Sequence, residues 1–294
     1  MHCSRYYRRA SIQGLGLVAR LTREDVTGIG ERLSRYDVEL VRKTGYTLKE
    51  IAARTTGKAV DEVLDSMSSR RIAVVPITAG RGVIGGFIEA VAGIVGYMGG
   101  DVFFSGGSDI SGIAEGVEKG ADIIFMADDN QFIALEMKAK KVVYNVVATA
   151  RGYVTALEAM SGGLDGREVL VIGGAGRVGW NAVLALEAKG ARVSTYDVDL
   201  KRIRHLAEGH AEITVETDIV KAMDRHRLFF DASPWADNIR PWHIKPDTMI
   251  AAPATPLMLD TGAYDMVKER LIHDSLEIGV ATMLAGAICV TWNS

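Results

Sequence analysis

The stretch EVLVIGGAGRVGWNAVLALEAKGARVSTYD, residues 168–197, restricts the fold more than any other part of the chain. An apolar run leads into Gly174-Ala175-Gly176-Arg177-Val178-Gly179, an amphipathic segment follows, and a second β-rich run ends on Asp197. A strand, a tight glycine turn, a helix N-terminus facing a pyrophosphate and an acid about 20 residues on for ribose hydroxyls make a dinucleotide-binding βαβ unit. All of these parts occur here in order. Asp197 favours NAD over NADP, because a carboxylate accepts hydrogen bonds from the ribose and repels a 2′-phosphate. Lys201 and Arg202, close behind it, are cations that a phosphate would use instead. The expected cofactor-binding residues are Gly174, Gly176, Arg177, Val178, Gly179 and Asp197. Ser233, Pro234 and Pro253 join them, since "FFDASPWAD" and "MIAAPATP" place small residues and proline after later strands, where a nicotinamide ring needs room.

The same alternation appears once before. Charged, helix-favouring segments come first, with Thr22 and Thr47 as N-caps backed by Asp25 and Glu50. From residue 71 the pattern becomes strand "IAVVPIT", a helix from about 83, strand "DVFFS", a helix from about 109 and strand "DIIFMA". Residues 142–160 read as a long linking helix that breaks at Ser161-Gly162-Gly163, after which the second alternation begins and closes on a helix from about 276. The expected fold is α/β: N-terminal helices, a small parallel α/β domain and a C-terminal Rossmann dinucleotide-binding domain. The expected division is 1–145 for substrate and 146–294 for cofactor.

The first half carries its own G-x-G-x-x-G, Gly80 to Gly85, but the next strand ends in Phe103-Phe104-Ser105 with no acid. It is therefore not a nucleotide site. Its glycines either permit close helix packing or open a helix N-terminus to an anion such as an amino-acid carboxylate. Asp128-Asp129-Asn130 stand directly after the strand "DIIFMA", and in a parallel sheet ligands collect beyond the carboxyl ends of the strands. The acids and the glycine turn should thus face one crevice, which suits a zwitterion. Asp129 or Asn130 has a second reading, as N-cap of a helix "QFIALEM". His273 and Asp274 lie near the start of the last helix, where Asp274 or Ser275 is read either as a cap or as part of the site.

Composition removes other classes. Lys+Arg 34 against Asp+Glu 37 gives no basic surface for nucleic acid. Cys3 and Cys289 show neither a disulfide framework nor metal spacing, and the six histidines form no H-E-x-x-H pattern, so no metal is expected. The apolar segment 278–290 is shorter than the roughly 20 residues of a membrane span and reads as a buried helix. Cytoplasmic placement, no membrane partner and a possible homodimer are the expectations. Trp235 and Trp242 with Pro241 are read as loop packing.

The run "VPITAGRGVIGGFIEAVAGIVGYMGGDVFFSGGSDISGIAEGVEKGADIIFMADDNQF", with "VLVIGGAGRVG", "YDVD", "DASPWAD" and "LEIGVATML", resembles the pyrrolysine-forming dehydrogenases over nearly everything after about residue 18. The resemblance implies NAD-dependent oxidation of a lysine acylated on its side-chain nitrogen by 3-methylornithine, with ammonia loss and closure to a pyrroline ring. It implies that Asp128 binds the reacting amine or takes its proton, with Asp129 and Asn130 beside it. It also implies that Asp274 is an acidic site position, and that Leu21 belongs to an N-terminal helix covering the cleft. Thr78, Arg81 and Gly82 of the first glycine turn complete the expected substrate-binding set. The chain departs from the family's pattern at Ala79 and Arg81, which replace a small hydroxyl residue and an amide. A dehydrogenase for another amine or amino acid, and a non-catalytic NAD-binding protein, are the rival readings.

Overall fold

The computed structural model describes residues 21–234, 239–257 and 259–289. The basic extension, Cys3 and Trp235 lie outside the described residues. The chain opens with α1 (Arg23–Val26), α2 (Ile29–Thr44), α3 (Leu48–Arg54) and α4 (Val60–Ser68). Both expected caps form full capping boxes, Thr22 with Asp25 and Thr47 with Glu50, so each hydroxyl and each carboxylate satisfies an otherwise orphaned N–H. Leu21 precedes the Thr22 cap and is not helical, because the extended backbone of Thr22 starts the helix after it.

The first sheet is built from β1 (Arg71–Val75), then α5 (Phe87–Met98), β2 (Asp101–Phe104), α6 (Asp109–Glu118), β3 (Ile123–Ala127), β4 (Phe132–Glu136) and β5 (Lys141–Tyr144). Its order is β2-β1-β3-β4-β5. β1 runs parallel to β2 and β3, as the alternation predicts, and β4 and β5 add antiparallel to β3 and to each other. The helix expected from about 83 starts at Phe87, since Gly80, Gly82 and Gly86 hold φ of 70°, 76° and 88° and keep the chain in a turn until Gly86. The helix "QFIALEM", and with it the N-cap reading of Asp129 or Asn130, is replaced by strand β4. Phe132 pairs with Ala127 and Glu136 with Ile123, so backbone groups left open on β3 find partners. The linking helix loses its first turn to β5 for the same reason, and begins as α7 (Asn145–Ser161).

The second sheet follows: β6 (Glu168–Ile172), α8 (Arg177–Glu187), β7 (Arg192–Tyr196), α9 (Leu200–Ala207), β8 (Thr214–Val215), α10 (Ile219–Arg225), β9 (Leu228–Asp231), β10 (Met249–Ala251), α11 (Thr261–Val267), β11 (Leu271–Ile272) and α12 (Glu277–Cys289). The order β11-β10-β9-β6-β7-β8 is parallel throughout. The chain moves outward from β6 through β7 and β8, then crosses to build β9, β10 and β11 on the other side. Such a reversal leaves a crevice at the carboxyl ends of β6 and β9, which is where a dinucleotide is held in this fold class.

α12 then returns to the first half, packing on α7 and against α3, α4 and α5. Residues Glu277 to Ile288 are all buried, consistent with an apolar stretch too short to span a bilayer. Among the described residues no helix is long and apolar enough to cross a membrane. One apolar core joins the two sheets, with Val74 and Phe125 of the first, Val171 and Phe230 of the second, and Leu284 of α12.

Candidate active site

The carboxyl ends of β1 and β3 face those of β6 and β9 across a cleft of about 740 Å³. Of the expected substrate residues, Leu21, Arg81, Gly82, Asp128, Asp129, Asn130 and Asp274 line it. Gly176, Arg177, Val178, Pro234 and Pro253 line it from the cofactor side. Thr78 does not. Its N–H donates to Asp109 Oδ1 at 2.8 Å, and its hydroxyl to the same carboxylate, so it pins the turn to the start of α6.

Asp128 begins the β3–β4 hairpin loop. Its N–H donates to the Gln131 carbonyl at 2.9 Å, and its Oδ1 accepts the N–H groups of Asn130 and Gln131, both at 2.7 Å. The loop therefore fixes the carboxylate through one oxygen. Among the described residues, Oδ2 accepts no hydrogen bond from the protein. Asp129 turns toward the first glycine turn, where its Oδ2 accepts the Arg81 N–H at 2.7 Å and its Oδ1 lies 3.4 Å from Arg81 Nε. The Arg81 amide and guanidinium are thus both engaged by a carboxylate of the chain itself. Gly80 is required here twice over: its φ is +70°, and an added Cβ would lie 2.3 Å from Asp129 Oδ2.

Asp274 sits at the floor of the cleft, just before α12. Its Oδ2 accepts from the Tyr36 hydroxyl at 2.8 Å and its Oδ1 from the Ile278 N–H at 3.2 Å. Tyr153 Oη donates to the Asp274 carbonyl at 3.0 Å and accepts its N–H at 2.9 Å. Asp274 accepts from an amide of the α12 first turn and also lines the cleft. Burial first, and the Glu277 carboxylate second, raise its pKa well above the ordinary carboxylate value. Glu277 is itself buried and meets Arg32 Nε at 3.4 Å. His273 donates from Nδ1 to the Ala252 carbonyl at 2.7 Å, and burial lowers its pKa.

Sequence reasoning missed Asn145, Thr149 and Tyr153 of α7, which also line the cleft. The signal was available in "KVVYN": β5 runs parallel to β3, so Asn145 at its carboxyl end reaches the same rim as Asp128.

The cofactor side is a cradle whose glycines leave no room for side chains. A Cβ on Gly174 would lie 1.8 Å from Thr195 Oγ1, and one on Gly179 would lie 2.1 Å from the Gly173 carbonyl. Gly173 itself holds φ +82° against the backbone of Ala232 and Ser233, so the turn begins one residue before the motif. Beside the turn, a second cavity of about 260 Å³ is lined by Tyr196, Asp197, Arg202, Ser233 and Pro234. Asp197 Oδ2 accepts the Ala175 N–H at 2.9 Å and Oδ1 accepts that of Asp199 at 2.9 Å, which fixes the acid at the mouth of that cavity. Volume, glycine clearance and acid together fit the adenosine and pyrophosphate of a nicotinamide dinucleotide.

A dinucleotide cradle opening into an acid-lined cleft between two α/β sheets defines a nicotinamide-dependent dehydrogenase. Residues 22–143 match the family model "Pyrrolysine biosynthesis protein PylD, N-terminal domain", and residues 141–275 match "Alanine dehydrogenase/PNT, C-terminal domain". Pyrrolysine synthase of Methanosarcina acetivorans is 31% identical over 267 residues, covering 91% of this chain and 98% of the relative. Pyrrolysine synthase of Methanosarcina barkeri is 30% identical over 267 residues, covering 91% and 97%. The chain belongs to the pyrrolysine synthase family. Among solved structures, shikimate dehydrogenase from Aquifex aeolicus superposes with a TM-score of 0.50 at 13% identity, covering 76% of this chain and 92% of that one. Quinate dehydrogenase from Corynebacterium glutamicum in complex with NAD gives 0.50 at 13%, covering 75% and 93%. These two share its fold.

Proposed function

We propose that this enzyme oxidises the terminal amine of lysine-Nε-(3-methylornithine) with NAD, releases ammonia and closes the pyrroline ring of pyrrolysine. On this reading residues 1–145 bind the substrate and residues 146–294 bind the cofactor. The observation that carries it is Asp128, a cleft carboxylate held by two loop amides through Oδ1 alone.

An alkylammonium has a reference pKa of about 10, and its carbon releases hydride only when the nitrogen has a free lone pair. The Asp128 carboxylate attracts the ammonium by charge, and the same group accepts or relays its proton. Asn130 and Gln131 keep that carboxylate aimed by donating their backbone N–H groups. When bound, the nicotinamide accepts the hydride. The nitrogen lone pair then forms the imine, water adds to its carbon, and ammonia leaves to give the aldehyde. The free α-amine of the 3-methylornithine unit attacks that aldehyde intramolecularly and expels water, so the water consumed is returned. Asp274 and the α7 residues Asn145 and Tyr153 close the cleft floor against the rest of the substrate. Gly174, Gly176, Val178, Gly179 and the backbone of Arg177 at the start of α8 would hold the pyrophosphate, Asp197 the ribose, and Ser233, Pro234 and Pro253 would leave space for the nicotinamide.

Asp128→Ala tests this reading. Turnover should be nearly abolished, while the NAD dissociation constant measured without substrate stays within about threefold of wild type. Wild-type turnover in the variant would remove Asp128 from its role.

A further inference from the structure

Arg177 is the first residue of α8 and belongs to the glycine fingerprint, yet its side chain leaves the cofactor turn and crosses to the first sheet. Nη1 donates to the Asn130 carbonyl at 2.8 Å and Nη2 to Gln131 Oε1 at 3.1 Å. These are the two residues whose N–H groups hold Asp128 Oδ1. Among the described residues Arg177 forms no ion pair with a carboxylate, so the two hairpin contacts are what fix its guanidinium. Between Asp128 and Asn130, Asp129 is tied to Arg81 of the glycine turn. The three residues that follow Asp128 are thus each anchored, while Asp128 itself is held through Oδ1 and lines the cleft.

We propose that Arg177 is a positioning residue for Asp128, clamping from the cofactor-binding helix the Asn130–Gln131 segment that orients the amine-binding carboxylate. The proposal rests on the function given above for Asp128. Its physical basis is the planar guanidinium, which offers two donors at fixed spacing to two acceptors on one loop; a lysine supplies the charge without that fork. Small misplacement of a group aimed at a reacting centre costs rate steeply, so a loosened loop should be felt in turnover. Because the clamp is rooted in the fingerprint, it also ties the amine site mechanically to the cofactor turn.

Hydrogen exchange of the unliganded enzyme tests the clamp without any turnover. In Arg177→Lys and in Gln131→Ala, the amides of residues 126–133 should exchange faster than in wild type, with the rest of the first sheet unchanged. With NAD and lysine-Nε-(3-methylornithine), kcat/KM for the amine should fall about tenfold in Arg177→Lys, while the NAD dissociation constant without substrate changes less than about threefold. Unchanged exchange overturns the proposal, as does faster exchange with wild-type kcat/KM. A weakened NAD affinity as the sole effect also overturns it and makes Arg177 a pyrophosphate ligand only. If the wild-type enzyme does not turn over this amine, the assigned substrate falls, and the exchange comparison still decides the clamp.

Discussion

Asp129 and Arg81 lock the first glycine turn from within: the Arg81 N–H donates to Asp129 Oδ2 at 2.7 Å, and the guanidinium Nε lies 3.4 Å from Oδ1. From its sequence this turn has two readings, close helix packing or a helix N-terminus open to an anion, and at Arg81 its N–H is taken by a carboxylate from the neighbouring strand end. Gly80 leaves room for that contact, which joins the glycine turn to the loop after Asp128 along one wall of the cleft.

Gly80→Ala should break the wall, because the new Cβ lies 2.3 Å from Asp129 Oδ2 on a backbone of φ +70°. The expected outcome is KM for the amine raised about tenfold with NAD affinity unchanged, read by steady-state kinetics and a separate NAD titration. An unchanged KM would show that the turn does not shape the substrate site.

Cofactor choice should rest on Asp197, fixed by the Ala175 and Asp199 amides beside Arg202. Asp197→Ala removes the charge that repels a 2′-phosphate and leaves Arg202 to attract one. The ratio of kcat/KM for NAD over NADP should fall about tenfold or more. A ratio that stays constant would place the discrimination elsewhere.

Asp231 should give the enzyme a pH-dependent stability. It is fully buried, and burial pushes its pKa up to about 6 against the hydrogen bonds from Ser233 that lower it. An unfolded aspartate titrates near 4, so between about pH 4 and about pH 6 the folded chain binds the proton that the unfolded chain has lost. Stability therefore falls as pH rises through that window, by about 3 kcal/mol for this group. Urea midpoints of Asp231→Asn should fall less over the same window than those of the parent; parallel profiles would contradict the assignment.

The seam between α7 and α12 should be intolerant of volume. A Cβ on Gly152 would lie 2.5 Å from both Ile278 Cγ2 and Thr282 Oγ1. Gly152→Ala should cost about 1–3 kcal/mol in chemical denaturation through overpacking. Wild-type stability in this variant would mean that α12 does not rest there.

The cofactor half was readable because each of its parts is local: a strand, a glycine turn, a helix and Asp197 follow one another within one βαβ unit. The acid-lined cleft was readable from Asp128 for a related reason, since a strand end in a parallel sheet predicts where a side chain goes. What the sequence concealed depends on pairing between distant segments. Phe132 to Glu136 is a short apolar run that fits strand or helix, and only the open edge of β3 decides it. Reading residues 142–160 as one helix hid Asn145 as a strand-end residue, and the reach of Arg177 to Asn130 belongs to no local pattern.

The most direct test of the whole account is to incubate the purified enzyme with NAD and synthetic lysine-Nε-(3-methylornithine), follow the absorbance of the reduced cofactor, and weigh the product by mass spectrometry. The account predicts reduced cofactor in step with a product of pyrrolysine mass. Bound NAD with no reduction on this amine, and reduction on another diamino acid instead, would contradict it.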